Sequence, residues 1–151
     1  AFRDFAKHCL YPPAGQRGVG LSRVHKWGDS FNDYLPGFQP VLVPQIETRN
    51  GAEAAVEIAS LKCVDTLFIG PYDLSADLGD PGNFKTRSYI DMINAIKEAC
   101  VIANKAPGIH QVEPNLDQLT AKCRAGYRFI AFGTDMIAMR HAFKGIADIE
   151  K

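Results

Sequence analysis

The sequence predicts an α/β fold built on a parallel sheet, and three observations carry that prediction. Three apolar runs of strand length, Val41 to Ile46, Thr66 to Ile69 and Phe129 to Phe132, are rich in β-branched or aromatic residues, and a shorter run from Gly108 to Val112 makes a fourth. None alternates cleanly with polar residues, which is the pattern of strands covered on both faces, as in a parallel sheet. Helix-like stretches separate the runs, and strand and helix alternate four times, which implies βαβ units with right-handed crossovers.

The segments follow in order. Ala1 to Leu10 reads as the tail of a helix with no strand and no methionine before it, so the chain is expected to begin inside a larger fold. Tyr11 to Gly20 is a Pro/Gly-rich loop, and a mixed segment containing Trp27 leads to the first strand. A helix is expected over Asn50 to Leu61 and another over Arg87 to Asn104, where Ile90, Ile93, Ile96, Lys97 and Val101 recur at offsets of three and four and predict one apolar face. Leu116 to Ala125 and Met136 to Ile149 supply the last two helices. No repeat beyond this alternation and no low-complexity segment is present.

At 151 residues, 46% hydrophobic and 23% charged, the chain is expected to be one domain over residues 1–151. Seventeen basic residues balance seventeen acidic ones, so no overall field favours nucleic acid or an anionic membrane, and small molecules or other proteins are the expected partners. No apolar run approaches the roughly 18 residues of a membrane span, and the N-terminus lacks a secretory pattern, so the expected location is the cytoplasm. Cys9, Cys63, Cys100 and Cys123 match no Cys-x-x-Cys or zinc spacing and read as buried thiols.

Chemistry in parallel α/β folds sits at the carboxyl ends of the strands. The first end, Val41-Leu42-Val43-Pro44-Gln45-Ile46-Glu47-Thr48, places Gln45 and Glu47 two apart and on one side. The second, Phe68-Ile69-Gly70-Pro71-Tyr72-Asp73-Leu74-Ser75, places Asp73 just beyond a Gly-Pro turn. Two carboxylates at adjacent strand ends, with no Cys or His nearby in sequence, make an all-oxygen site of the kind that hard divalent cations take. The competing reading is that Glu47 or Thr48 caps the helix near Asn50 and Asp73 caps a turn near Leu74.

Pro44-Gln45-Ile46-Glu47-Thr48 followed by Gly70-Pro71-Tyr72-Asp73-Leu74-Ser75 resembles the signature of the 2,4-dihydroxyhept-2-ene-1,7-dioate (hydroxy-oxo-heptanedioate) aldolase family, of HpcH/HpaI type. The loop Tyr11-Pro12-Pro13-Ala14-Gly15-Gln16-Arg17-Gly18 fits it, as do Lys105-Ala106-Pro107-Gly108 and Phe132-Gly133-Thr134-Asp135. The resemblance implies a TIM-type (β/α)8 barrel, of which this chain covers roughly the second half in four βα units. It also implies class II aldol cleavage or addition on a 4-hydroxy-2-oxo acid, with pyruvate as product or nucleophile and an aldehyde as partner. Carried over, Glu47 and Asp73 hold a divalent metal (Mg, Mn or Co) and Gln45 sits beside the substrate. The backbone amides around Tyr72 and Asp73 receive the pyruvate carboxylate, in keeping with anion binding at a turn that leads into a helix.

Two departures qualify the carry-over. Tyr72 stands where the family often has a small residue, so the pocket is either narrower or offers an extra hydroxyl. The family's catalytic His and substrate-binding Arg are expected upstream of Ala1, and His8, His25, His110 and His141 are read as structural or surface residues. Arg17 is expected to pair with a carboxylate at the barrel rim or at a subunit contact, and Trp27, Phe31 and Tyr34 to pack or to form an interface, in a homo-oligomer. Two other readings stand beside the aldolase: a related pyruvate or phosphoenolpyruvate-barrel lyase such as a coenzyme A ester lyase, and a non-catalytic assembly fragment.

Overall fold

The computed structural model describes residues 2–146 and 149. In chain order the elements are α1 (Phe2–Cys9), a 3-10 segment at Arg23–Gly28, α2 (Phe31–Gly37), β1 (Gln45–Ile46), α3 (Arg49–Glu53), α4 (Ala55–Ala59), β2 (Phe68–Ile69), α5 (Pro71–Asp77), α6 (Arg87–Ile102), β3 (Gly108–Gln111), α7 (Leu116–Arg124), β4 (Phe129–Phe132) and α8 (Asp135–Ala142). The four strands form one open parallel sheet in the order β1-β2-β3-β4. All four lie within the runs read from sequence, and every pairing is parallel.

The first strand is shorter than Val41 to Ile46. The Leu42 and Pro44 carbonyls accept from the Asp65 and Phe68 N–H groups, both at 2.9 Å. The donors are three residues apart and the acceptors two, so the second strand carries one extra residue here and the ladder is irregular. Regular pairing starts only at Pro44, which has no N–H of its own to give, and continues through the Gly70 N–H to the Ile46 carbonyl at 3.1 Å.

Ile46, Leu67, Ile69, Leu74, Ile96 and Cys100 are almost fully buried and form the centre of the core. Helix α6 packs on α3 and α4, where Ala52, Ala55 and Ala59 keep the facing surface low. The helix expected over Asn50 to Leu61 is broken at Ala54, whose φ/ψ of −85°/5° leaves the helical region. The apolar face expected on α6 is also displaced. Tyr89, Ile96, Ala99 and Cys100 are buried, whereas Ile90 is 42% and Val101 74% exposed. The contact with the alanine surface runs one ridge to the side of the Ile90–Val101 stripe, and Lys97 lies over the Tyr127 ring at 5.3 Å.

Cys100 is buried and Cys9 and Cys63 are half-buried, but Cys123 is exposed, because α7 buries none of its residues. The last helix ends at Ala142 and not at Ile149. Its end is marked by the Phe143 N–H bonding to the Met139 carbonyl and by Gly145 at φ 91°. The rest of that expectation lies partly outside the described residues, as does Ala1.

The YPPAGQRG loop folds back onto α1. The Gln16 and Arg17 N–H groups donate to the Lys7 and Leu10 carbonyls at 2.6 and 2.8 Å, which serves the free carbonyls at the end of that helix. A Cβ on Gly15 would meet those same two carbonyl oxygens at 2.4 and 2.3 Å, so only glycine permits the approach. The Arg17 guanidinium lies over the Tyr11 and Phe38 rings at 4.9 and 5.0 Å. The ion pairs among the described residues are Arg3–Glu57 and Arg87–Asp91, so within this chain Arg17 stacks on aromatic faces and pairs with no carboxylate among the described residues.

Candidate active site

Gln45 and Glu47 project from β1 and its carboxyl end on the side opposite to Ile46, which points into the core. The Gln45 side-chain amide donates to Glu47 Oε1 at 2.6 Å. Thr48 is the cap of α3, its hydroxyl accepting from the Gly51 N–H at 3.1 Å, so Glu47 is left out of the capping role. Across the ladder, Gly70 opens α5, with Pro71 in the first helical position and Asp73 in the first turn. The Leu74 N–H bonds to the Gly70 carbonyl at 3.0 Å, so the turn closes without the Asp73 side chain. At the far end of α5, Asp77 accepts from the Arg49 N–H at 2.7 Å and ties that helix to the start of α3.

These local rules bring Glu47 and Asp73 together at one point on the inner face. Burial raises the pKa of Glu47 above the usual carboxylate range, and the Asp73 charge, with the two carboxyl groups in hydrogen-bonding reach, raises it further. Gly70 makes the approach possible. A Cβ there would lie 2.7 Å from Glu47 Cγ, 2.8 Å from Glu47 Oε1 and 3.1 Å from Gln45 Nε2. No cluster of three or more His, Cys, Asp or Glu residues forms among the described residues.

Tyr72, in the second position of α5, is 48% exposed. The ring lies edge-on to Phe84 at 5.2 Å, in a cavity of about 300 Å³ shared with Tyr89, Ile93, Gln111 and Tyr127. Burial, followed by the nearby Cys100, pushes the Tyr127 phenol up to about 12. In the first turn of α5 the N–H groups of Tyr72 and Asp73 have no carbonyl to bond within the helix.

The register adds a residue that the sequence reading set aside. Ile46 pairs with Ile69 and Ile69 with Ile109, and His110 pairs with Ala131. One step further along, Glu47, Gly70, His110 and Ala131 form a single row on the inner face. The His110 ring sits 6.4 Å from the Phe68 ring, on that same face. The alternation Gly108-x-His110 on a strand was the available signal, but which face it marks emerges only from the pairing. Of the other histidines, His8 and His141 are exposed, and His25 is buried under Phe31 with its Nε2 near the Gly20 carbonyl at 2.8 Å.

Residues 2–142 match the family model described as HpcH/HpaI aldolase/citrate lyase. The chain belongs to this family. It is 37% identical over 144 residues to a hydroxypyruvate/pyruvate aldolase of Delftia acidovorans, covering 93% of this chain and 52% of that one. It is 36% identical over 152 residues to a 4-hydroxy-2-oxo-heptane-1,7-dioate aldolase of Shigella sonnei, covering 96% and 56%. Among solved structures, an HpcH/HpaI aldolase/citrate lyase family protein from Burkholderia cenocepacia superposes with a TM-score of 0.85 at 28% identity, over 95% of this chain and 57% of that one. The chain thus spans about half the length of the HpcH/HpaI relatives it matches, and its four βα units are part of a TIM-type barrel.

Proposed function

We propose that this chain carries the metal- and 2-oxo-acid-binding part of a class II aldolase, which makes or breaks a carbon–carbon bond of a 4-hydroxy-2-oxo acid with pyruvate as nucleophile or product. The observation that carries the reading is the meeting of the Glu47 and Asp73 carboxyl groups, with Glu47 seated over the bare Cα of Gly70. A carboxylate pair in which the Asp73 charge raises the cost of ionising Glu47 is the arrangement that a divalent cation relieves. The donors are hard oxygens with no third His, Cys, Asp or Glu beside them among the described residues, which suits Mg²⁺, Mn²⁺ or Co²⁺ with substrate and water oxygens filling other positions.

Glu47 and Asp73 would hold the ion, which when bound supplies Lewis-acid stabilisation of the enolate of a 2-oxo acid. Gln45 fixes the orientation of Glu47 by its hydrogen bond and presents its remaining amide atoms to the substrate side. The free N–H groups of Tyr72 and Asp73 receive the substrate carboxylate, where successive amides and the start of a helix favour an anion. The proton-transfer group, a His by family resemblance, and an Arg for the substrate oxygens belong to the remainder of the barrel. Assembly as a homo-oligomer in the cytoplasm is part of the same reading.

The test is a coupled pyruvate-release assay on the full-length protein with added magnesium, manganese or cobalt. Asp73→Ala and Glu47→Ala are each expected to lower metal-stimulated turnover by about two orders of magnitude or more, since loss of even an outer-shell partner costs about 10–100-fold. The far-ultraviolet circular dichroism should not change. Full activity in both variants, or turnover that chelation leaves intact, refutes the metal reading.

A further inference from the structure

The geometry points to His110 as a specificity residue, one that binds an oxygen substituent on the aldehyde partner and so selects hydroxylated over plain aliphatic acceptors. The inference rests on the aldolase reading and names its acceptor class. His110 is in the same row and on the same face as Glu47, two strands away, with Gly70 between them. At about 4.8 Å per strand the two backbones are about 10 Å apart. Gly70 has no side chain, so the Glu47 carboxylate and the Gln45 amide lean over it towards that interval, and on the far side of His110 its row neighbour is Ala131, also small. The half-buried imidazole therefore has only Gly70 and Ala131 as row neighbours, with the Glu47 carboxylate leaning over Gly70 on the nearer side.

None of the side-chain hydrogen bonds formed among the described residues involves the His110 ring; its defined neighbour is the Phe68 ring. Two positions back, Gly108 leaves the same face low, a Cβ there meeting Phe68 and Phe129 at 3.1 and 3.2 Å. In the aldolase reading, a 2-oxo acid anchored at Glu47 and Asp73 would turn its reacting carbon along the row towards His110, past Gly70. Its partner then lies between Gly70 and His110, against an apolar floor of Phe68 and Phe129. Gln45 stands at the β1 end of that floor, and at its β3 side the imidazole is the polar group placed to meet a substituent, as donor or as acceptor. An apolar wall at this place discriminates weakly between a methyl and a hydroxyl, whereas a built hydrogen-bonding group rejects the analogue that lacks a partner for it.

The experiment uses the full-length, metal-loaded protein and compares pyruvate addition to glycolaldehyde with addition to propanal, in which a methyl replaces the hydroxyl. His110→Leu is expected to lower kcat/KM for glycolaldehyde by about tenfold or more while that for propanal holds or rises. His110→Asn should recover part of the loss, and the pyruvate KM and manganese affinity should stay the same in both variants. A glycolaldehyde-to-propanal ratio unchanged by His110→Leu overturns the inference, as does an equal fall for both aldehydes. A second readout does not depend on turnover. Without pyruvate, glycolaldehyde should shift the ring nitrogen resonances of His110, assigned by their loss in His110→Asn, and propanal should not; equal shifts or none overturn it. A protein that adds pyruvate to neither aldehyde sinks the aldolase reading itself, and the resonance titration then still decides whether His110 contacts the hydroxyl.

Discussion

At Glu47 the structure couples a proton, a neighbouring charge and a vacant Cβ position. A carboxyl whose pKa is raised on folding binds more protons in the native than in the unfolded state, so its contribution to stability falls as pH rises from the ordinary carboxylate value through the raised one. The metal-free Glu47→Gln protein should therefore be more stable than the parent near neutral pH, by at most about 1 kcal/mol for so exposed a charge pair. The gain should vanish towards about pH 4, where the parent's own carboxyl is protonated; urea melts at both pH values measure it. Metal would reverse the order, since a bound cation stabilises only the ionised pair. Gly70→Ala tests the third part. Gly70 has φ −93° and ψ 93°, which alanine tolerates, so the fold should lose no more than about 1 kcal/mol. Its Cβ must displace Glu47, however, and manganese affinity by calorimetry should fall by about 10–100-fold. Of these residues Gln45, Glu47 and Asp73 were legible in the sequence, since alternation along a strand and a turn into a helix are local. Gly70 and His110 were not, because their meaning lies in what the next strand places opposite them.

The elements divide by the same principle. β2, β3 and β4 could be read directly because buried parallel strands concentrate β-branched and aromatic residues in short runs. β1 was overread by four residues, where Pro44 and the extra residue in the facing strand spoil the ladder. Helix α5 was given no bounds: Gly70-Pro71 reads as a turn leading into a helix, and only the structure shows Pro71 itself in the first helical position of a seven-residue element. One contact between elements is open to direct test. Lys105, ahead of β3, donates through Nζ to the carbonyls of Ala59 and, at 2.8 Å, Leu61, and so closes the end of α4. Lys105→Met keeps most of the stem and removes the donor. It should cost about 1.5–3 kcal/mol in urea unfolding, the range for hydrogen bonds to a charged group.

On the scale of the whole molecule, the sheet is open at β1 and β4 and carries an uncovered inner face, where Phe129 is 44% exposed. Relatives about twice as long have the chain length to close such a sheet. The 151 residues expressed by themselves should accordingly bind an apolar dye or associate through the exposed edges, and the full-length protein should not. A dispersed, dye-silent 151-residue monomer would show that these residues cover their own inner face.

The amide of Gly70 links the fold to the chemistry. Its hydrogen bond to the Ile46 carbonyl is the last rung of the β1–β2 ladder, one residue from Glu47 and three from Asp73. Its proton can be traded with solvent only when that rung opens, and opening it separates the strand ends that carry the two carboxylates. The exchange rate of this one amide therefore clocks how often the carboxylate pair comes apart, in a protein doing no catalysis at all.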